Sequence, residues 1–130
     1  MLESKYWYAY EKFSSAIYIL ATGAGDVRSR LSDAYLGPLW VIRPEHLPED
    51  LQKDLVWIKK QITKYKENWI GQLKELSGWE KKDPTFKEKH PSLYPNPVEA
   101  TLRRIRRSTG VEIARRIFKI YDSLISRVID

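Results

Sequence analysis

The sequence predicts an all-α fold, a compact bundle of four or five helices forming one domain over residues 1–130. Three observations carry this. Apolar residues recur at spacings of 4, 3, 4 and 3 in two stretches and 4, 3, 4 and 4 in a third, the stripe of an amphipathic helix. Helix caps and helix breakers fall between these stretches. No stretch alternates apolar and polar residues as a half-buried strand does, and no internal repeat is present.

Residues 3–21 read as the first helix, with Tyr6, Tyr10, Phe13, Ile17 and Leu20 on its inner stripe. Thr22-Gly23-Ala24-Gly25 ends it, because glycine takes the left-handed conformation that stops a helix. Asp26 is then an N-cap whose carboxylate accepts from the amides of the next turn. The second helix carries Val27, Leu31, Ala34 and Tyr35 inward, with Pro38 or Leu39 following, and Gly37-Pro38 kinks or ends it. Arg43 to Leu47 is a connection, and Pro48, Glu49 and Asp50 suit a first helical turn.

The third helix carries Leu51, Leu55, Ile58, Ile62 and Tyr65 and runs on through Trp69 and Leu73 to Ser77-Gly78. Its outer side is lysine-rich (Lys53, Lys59, Lys60, Lys64, Lys66). Residues 79–95 hold Pro84, Pro91 and Pro95, many charges and few aliphatics, and so read as a flexible or irregular loop. Asn96-Pro97 starts a fourth helix with Val98, Leu102 and Ile105 inward. Ser108-Thr109-Gly110 is expected to interrupt the chain. A fifth helix over 111–129 places Ile113, Ile117, Ile120, Leu124 and Val128 in line. Ala114, Phe118, Tyr121 and Ile125 widen that line into an arc broad enough for two neighbours.

Composition narrows the function classes. With 42% apolar and 31% charged residues, six Gly and seven Pro, the chain is neither collagen-like nor low-complexity. Zero cysteines exclude disulfides, thiol chemistry and cysteine-ligated metals. No apolar run approaches the roughly 18 residues that span a bilayer. The opening Met1-Leu2-Glu3-Ser4-Lys5 lacks the basic start of a secretory signal. A soluble cytoplasmic protein without membrane contact and without a cofactor is expected.

The net charge of +6 is unevenly placed: residues 1–42 carry four positive and four negative side chains, residues 43–95 eleven and nine, and residues 96–130 eight and four. A basic end of this kind suits a polyanion or an acidic protein partner.

In order, Phe13 to Tyr35 (with Leu20-Ala21-Thr22-Gly23 and Gly25-Asp26-Val27-Arg28-Ser29-Arg30-Leu31), Leu47-Pro48 to Thr63, and Thr101 to Tyr121 (with Ser108-Thr109-Gly110-Val111) form a pattern. It resembles short uncharacterised all-helical bacterial proteins. The resemblance spans about two-thirds of the chain and implies a compact helical bacterial protein, with no activity attached.

Catalytic hardware is sparse. His46 and His90 both lie in proline-containing connections, and neither has a second histidine at helical spacing. Helical endoribonucleases of the HEPN type carry an Arg followed by a His about five to seven residues later. No Arg stands at that spacing before His46 or His90, so an HEPN-like fold here would be inactive. Gly23-Ala24-Gly25 invites a nucleotide-loop reading, but Arg28 stands where the third glycine of a dinucleotide pattern belongs. Gly25, Arg28 and Arg30 are candidates for holding an anion at the amides of the second helix, which the Asp26 charge opposes. Asp50 and Asp54 are four residues apart on a face that reads as solvated rather than metal-binding.

Two surface readings follow. Aromatics crowd more than one face of the first helix, which makes Trp7, Tyr8 and Tyr18 candidates for a protein interface in a homo-oligomer or a larger complex. Arg103, Arg104 and Arg107 point away from the core of the fourth helix, and Arg115, Arg116 and Lys119 from that of the fifth. Guanidinium forks match phosphate oxygens without choosing sequence. The expected function is a non-catalytic binding or assembly protein that grips nucleic acid or another polyanion with these six cations. The alternative is a small enzyme, a degenerate HEPN-like nuclease or a nucleotide-handling protein, built on the Gly-rich turn and Arg28.

Overall fold

In the computed structural model, which describes residues 2–65, 67–90 and 96–129, seven α-helices and no strand form among the described residues, and the core draws its buried side chains from residues 2–62 and 98–124. The fold class is as expected, and the helix count is higher than the expected four or five. Helix α1 (Trp7–Thr22) buries Ala9, Phe13 and Ala16 completely. The expected stripe is therefore rotated: Tyr6, Tyr10, Ile17 and Leu20 only flank the core. The two alanines bring the α1 backbone close to its neighbours.

Gly25 ends the intervening turn with φ +82, a conformation glycine adopts freely. Asp26 then caps α2 (Val27–Ala34), its Oδ1 accepting from the Arg28 amide at 2.8 Å. Pro38 has no N–H to continue the helix, and Tyr35–Leu39 widens into a π-turn closed by Trp40 N–H donating to the Tyr35 carbonyl at 2.8 Å. A 3-10 turn (Pro44–His46) leads to α3 (Glu49–Ile62), whose Leu51, Leu55, Ile58 and Ile62 are buried as expected.

The chain leaves the helix at Thr63, so α3 does not run on to Ser77. A separate helix, α4 (Glu67–Lys82), follows, packed on a single-turn helix, α5 (Phe86–Lys89). Part of the segment expected as a loop is thus helical. Its Pro91 and Pro95, together with Lys66 and the side chains of Trp69 and Leu73, lie outside the described residues.

Asn96 caps α6 (Pro97–Arg104) through Oδ1 accepting from the Val98 amide at 2.9 Å. Thr101 is fully buried. Its hydroxyl donates to the Pro97 carbonyl at 2.7 Å and accepts from the Tyr65 amide at 3.0 Å, which ties α6 to the end of α3.

Helix α7 (Arg107–Ile129) is the hub, packing on α1, α2 and α3 with Ile113, Ile117, Ile120 and Leu124 fully buried. The break before it falls at Ile105 (φ -71, ψ 155), not at Ser108-Thr109-Gly110, which form the first turn of α7. Ile105 leaves the helix to bury its side chain. Gly110 is helical, and α2 crosses so closely there that a side chain would be crowded. A Cβ on it would stand 3.2 Å from both Val27 Cγ1 and Arg28 Cγ.

Candidate functional site

The break at Ile105 turns the α6–α7 junction into a corner. Arg103 and Arg104 close α6, Arg106 follows the break and Arg107 opens α7, all exposed around a buried Ile105. None of the four makes an ion pair among the described residues. Arg104 lies over the Tyr65 ring at 5.5 Å, which holds its guanidinium at the surface. Arg106 was not among the expected site residues. The run Arg-Arg-Ile-Arg-Arg pointed to it, but continuous helical phasing through the break hid it.

The other three expected cations behave differently. Arg116 Nη1 is 3.1 Å from Asp54 Oδ1, and Lys119 Nζ is 3.1 Å from Asp54 Oδ2. The Asp54 side chain is only 10% exposed, so this half of the face read as solvated lies at the α3–α7 interface, while Asp50 stays 62% exposed. Arg116 also lies 3.7 Å from Glu112 and 4.4 Å over the Trp57 ring. Arg116 and Lys119 therefore neutralise a buried carboxylate and hold two helices together. Nearby, Asp50 pairs with Arg127, and this guanidinium holds the carboxyl below its ordinary range. Arg115 remains 75% exposed with a loose contact to Glu112 at 3.7 Å.

Arg115 and Arg107 border a groove of about 580 Å³, open to solvent, where α2 lies against α7. Val27, Val111, Ala114 and Phe118 form its floor. Arg30 stands on the α2 side, Lys119 on the far edge and Asp122 at the C-terminal end. A large apolar side chain that stays 52% exposed, as Phe118 does, marks this floor as uncovered. Arg30 is fixed by its Nη1 donating to the Leu20 carbonyl at 2.7 Å, with its stem against Gly23. Its buried Nε has no acceptor in the structure.

The Gly-rich turn is occupied by its own side chains. Arg28 Nη2 lies 2.8 Å from Asp26 Oδ2, and its Nη1 donates to the Ile105 carbonyl at 3.3 Å. This guanidinium pulls the Asp26 carboxyl down to about 2. Gly25, Arg28 and Arg30 are thus brought to one turn, but the two guanidiniums are turned to separate protein acceptors, and the Asp26 charge faces any anion at the α2 amides. Arg28 and Arg103 share a smaller cleft of about 290 Å³ with Ser29, Ser32 and Glu99.

Of the aromatic candidates, Tyr18 is 70% exposed. Trp7 sets its ring edge-on to Tyr10 at 5.4 Å, and Tyr8 packs on His46 at 5.2 Å. The three do not converge on one contact. His46 Nδ1 accepts from the Arg43 amide at 2.9 Å, and the His90 ring packs on Phe86 at 4.7 Å, so both histidines have local roles. Lys59, expected on the outer side of α3, is half-buried instead. Its Nζ is 3.4 Å from Tyr35 Oη and from the Trp40 carbonyl, and burial lowers its pKa.

Among the described residues, no group of three or more His, Asp or Glu side chains could hold a metal ion, and no helix is long and apolar enough to cross a membrane. Comparison with known proteins returns no match: no protein family, no curated protein and no solved structure matches this chain.

Proposed function

We propose that this protein is a non-catalytic binding protein that grips the phosphate backbone of a nucleic acid with the arginine corner between α6 and α7. The observation that supports the reading is the set Arg103, Arg104, Arg106 and Arg107, four exposed guanidiniums within five residues and without a carboxylate partner among the described residues. Arginines used to hold a fold are drawn to acids, as Arg28, Arg116 and Arg127 are. Arginines left bare keep their forks for phosphate oxygens, which gives affinity and orientation without base choice. The amino end of the 23-residue α7 adds a partial charge of the same sign. In this reading the protein acts in the cytoplasm, within a homo-oligomer or a larger assembly, and needs no cofactor.

The test is fluorescence anisotropy of a labelled single-stranded RNA and a labelled DNA duplex across a salt series. Wild-type affinity should fall steeply with salt. The Arg103→Glu/Arg106→Glu variant should stay folded and lower the log–log salt slope on the duplex by about 2. No binding at low salt, or an unchanged slope in a folded variant, removes the nucleic-acid reading.

A further inference from the structure

We infer that the α2–α7 groove is a second binding site, sharing Arg107 with the arginine corner, whose occupant is an acidic amphipathic helix of a partner protein. The groove's floor and rim carry it, and it does not need the nucleic-acid reading of the arginine corner.

The floor is shaped for a helix. Val111, Ala114 and Phe118 follow one another at i, i+3 and i+7 along α7, a ridge about 10 Å long at 1.5 Å per residue. Ala114 leaves a dent between two larger side chains, and Val27 of α2 completes the floor. A helix that carries apolar anchors at i, i+3 or i+4 and i+7 seats one in that dent and one on either side. The groove is open to solvent along its length. An alkyl chain laid in it would keep much of its surface in water, whereas binding sites for small ligands bury most of theirs. A helix covers the same floor and turns its own polar face outward.

The rim selects the charge of that helix. Arg30, Arg107 and Arg115 stand around the floor, and Lys119 turns its ammonium away to Asp54. Arg107 has no ion pair among the described residues, and Arg115 has only its loose contact with Glu112. The one lining carboxylate, Asp122, sits at the far end. A basic helix would meet two exposed guanidiniums along the rim, so like charge disfavours it where acids are attracted.

The test is selection from a displayed library of helix-forming peptides with randomised positions, enriched on the full protein and counter-selected on the Phe118→Ser variant. The expected result is enrichment of helical peptides with an apolar stripe and flanking Glu or Asp. The best of them, measured by anisotropy, should lose about tenfold or more in affinity to Phe118→Ser and to Arg115→Glu. Both side chains are exposed, so circular dichroism should show both variants folded. Should one of them unfold, the other carries the measurement.

The Arg103→Glu/Arg106→Glu variant should bind the peptide like wild type, and Phe118→Ser should bind nucleic acid like wild type. Failure of one reading is therefore read separately from failure of the other. No enrichment, enrichment of basic peptides, or binding indifferent to both Phe118→Ser and Arg115→Glu overturns the inference. Displacement of the peptide by dodecanoate below its micelle concentration overturns it as well, because the groove would then be a site for an anionic amphiphile.

Discussion

Replacing Asp54 by Ala tests whether two of the basic residues on α7 serve the fold. The carboxylate is 10% exposed and takes charge-assisted contacts at 3.1 Å from Arg116 and Lys119. In a fully buried setting, breaking such a pair costs about 3–5 kcal/mol, because a charge is stranded. Here the stranded groups are Lys119, 62% exposed, and Arg116, 35% exposed, and both can return to water. The expected loss is therefore about 1–2 kcal/mol, between a buried and a surface pair. For a domain of this size that lowers Tm by about 4–8 °C. Urea unfolding gives the free energy directly, and a double-mutant cycle with Arg116→Met isolates the pair. Arg115→Ala, at an exposed position, is the control and should change stability by less than about 0.5 kcal/mol. Nucleic-acid affinity of Asp54→Ala should hold or rise, since a negative charge has gone. If Asp54→Ala loses less than about 0.5 kcal/mol, the assignment of Arg116 and Lys119 to the α3–α7 interface is refuted.

Gly110→Val should destabilise the protein by about 2–3 kcal/mol in urea melts, since its branched side chain enters a space where even a Cβ stands 3.2 Å from Val27 and Arg28. Gly25→Ala should cost about 1–2 kcal/mol from backbone strain at φ +82, and Gly25→Asn less; thermal unfolding ranks them. Acid should weaken the fold in a defined window. The Asp26 carboxyl is lowered from 3.8 to about 2 by Arg28, so its contribution is complete above the unfolded value and is lost as pH falls through about 2. Urea midpoints measured between pH 5 and pH 2 should decline over that range, and less so in Asp26→Asn, which keeps the cap without the titration.

What the sequence revealed, and what it hid, follows from the physics of each signal. The α3 stripe, the α2 face and the long line on α7 were legible because large apolar residues at helical spacing have no other place to go. The Asp26 and Asn96 caps were legible because their side chains act within two residues, at Arg28 and Val98. The α1 face was misphased: Ala9 and Ala16 are weakly apolar, while tyrosines at Tyr6 and Tyr10 read as core although their hydroxyls seek water. The break at Ile105 was missed because Ser108-Thr109-Gly110 is the weaker helix former, and only the α2 crossing makes a glycine necessary there. The pairing of Arg116 and Lys119 with Asp54 was hidden for a similar reason. Helical phase says which side chains leave one core, but not that another helix arrives beside them with Asp54. The groove was not legible at all, since its rim draws Arg30 from one helix and Arg107 and Arg115 from another, far apart in sequence.

Arg107 belongs to both surfaces, as the last guanidinium of the corner and the first of the groove. The two readings together therefore predict that the sites oppose each other. A helix docked with a glutamate at Arg107 neutralises that cation and places a negative charge about one helical turn from the corner. At about 6 Å in water, the repulsion of one phosphate by one carboxylate is roughly 0.7 kcal/mol, or about threefold in affinity. That distance is shorter than the Debye length of about 10 Å at 0.1 M salt, so screening only reduces the effect. Linkage makes the effect reciprocal: saturating peptide should weaken nucleic-acid binding by the same factor by which nucleic acid weakens the peptide. Two anisotropy titrations, each label read with and without the other ligand at saturation, measure both factors. Equal factors above one that shrink with salt match a shared Arg107. No coupling at low salt, or mutual strengthening, would show that Arg107 does not serve both surfaces.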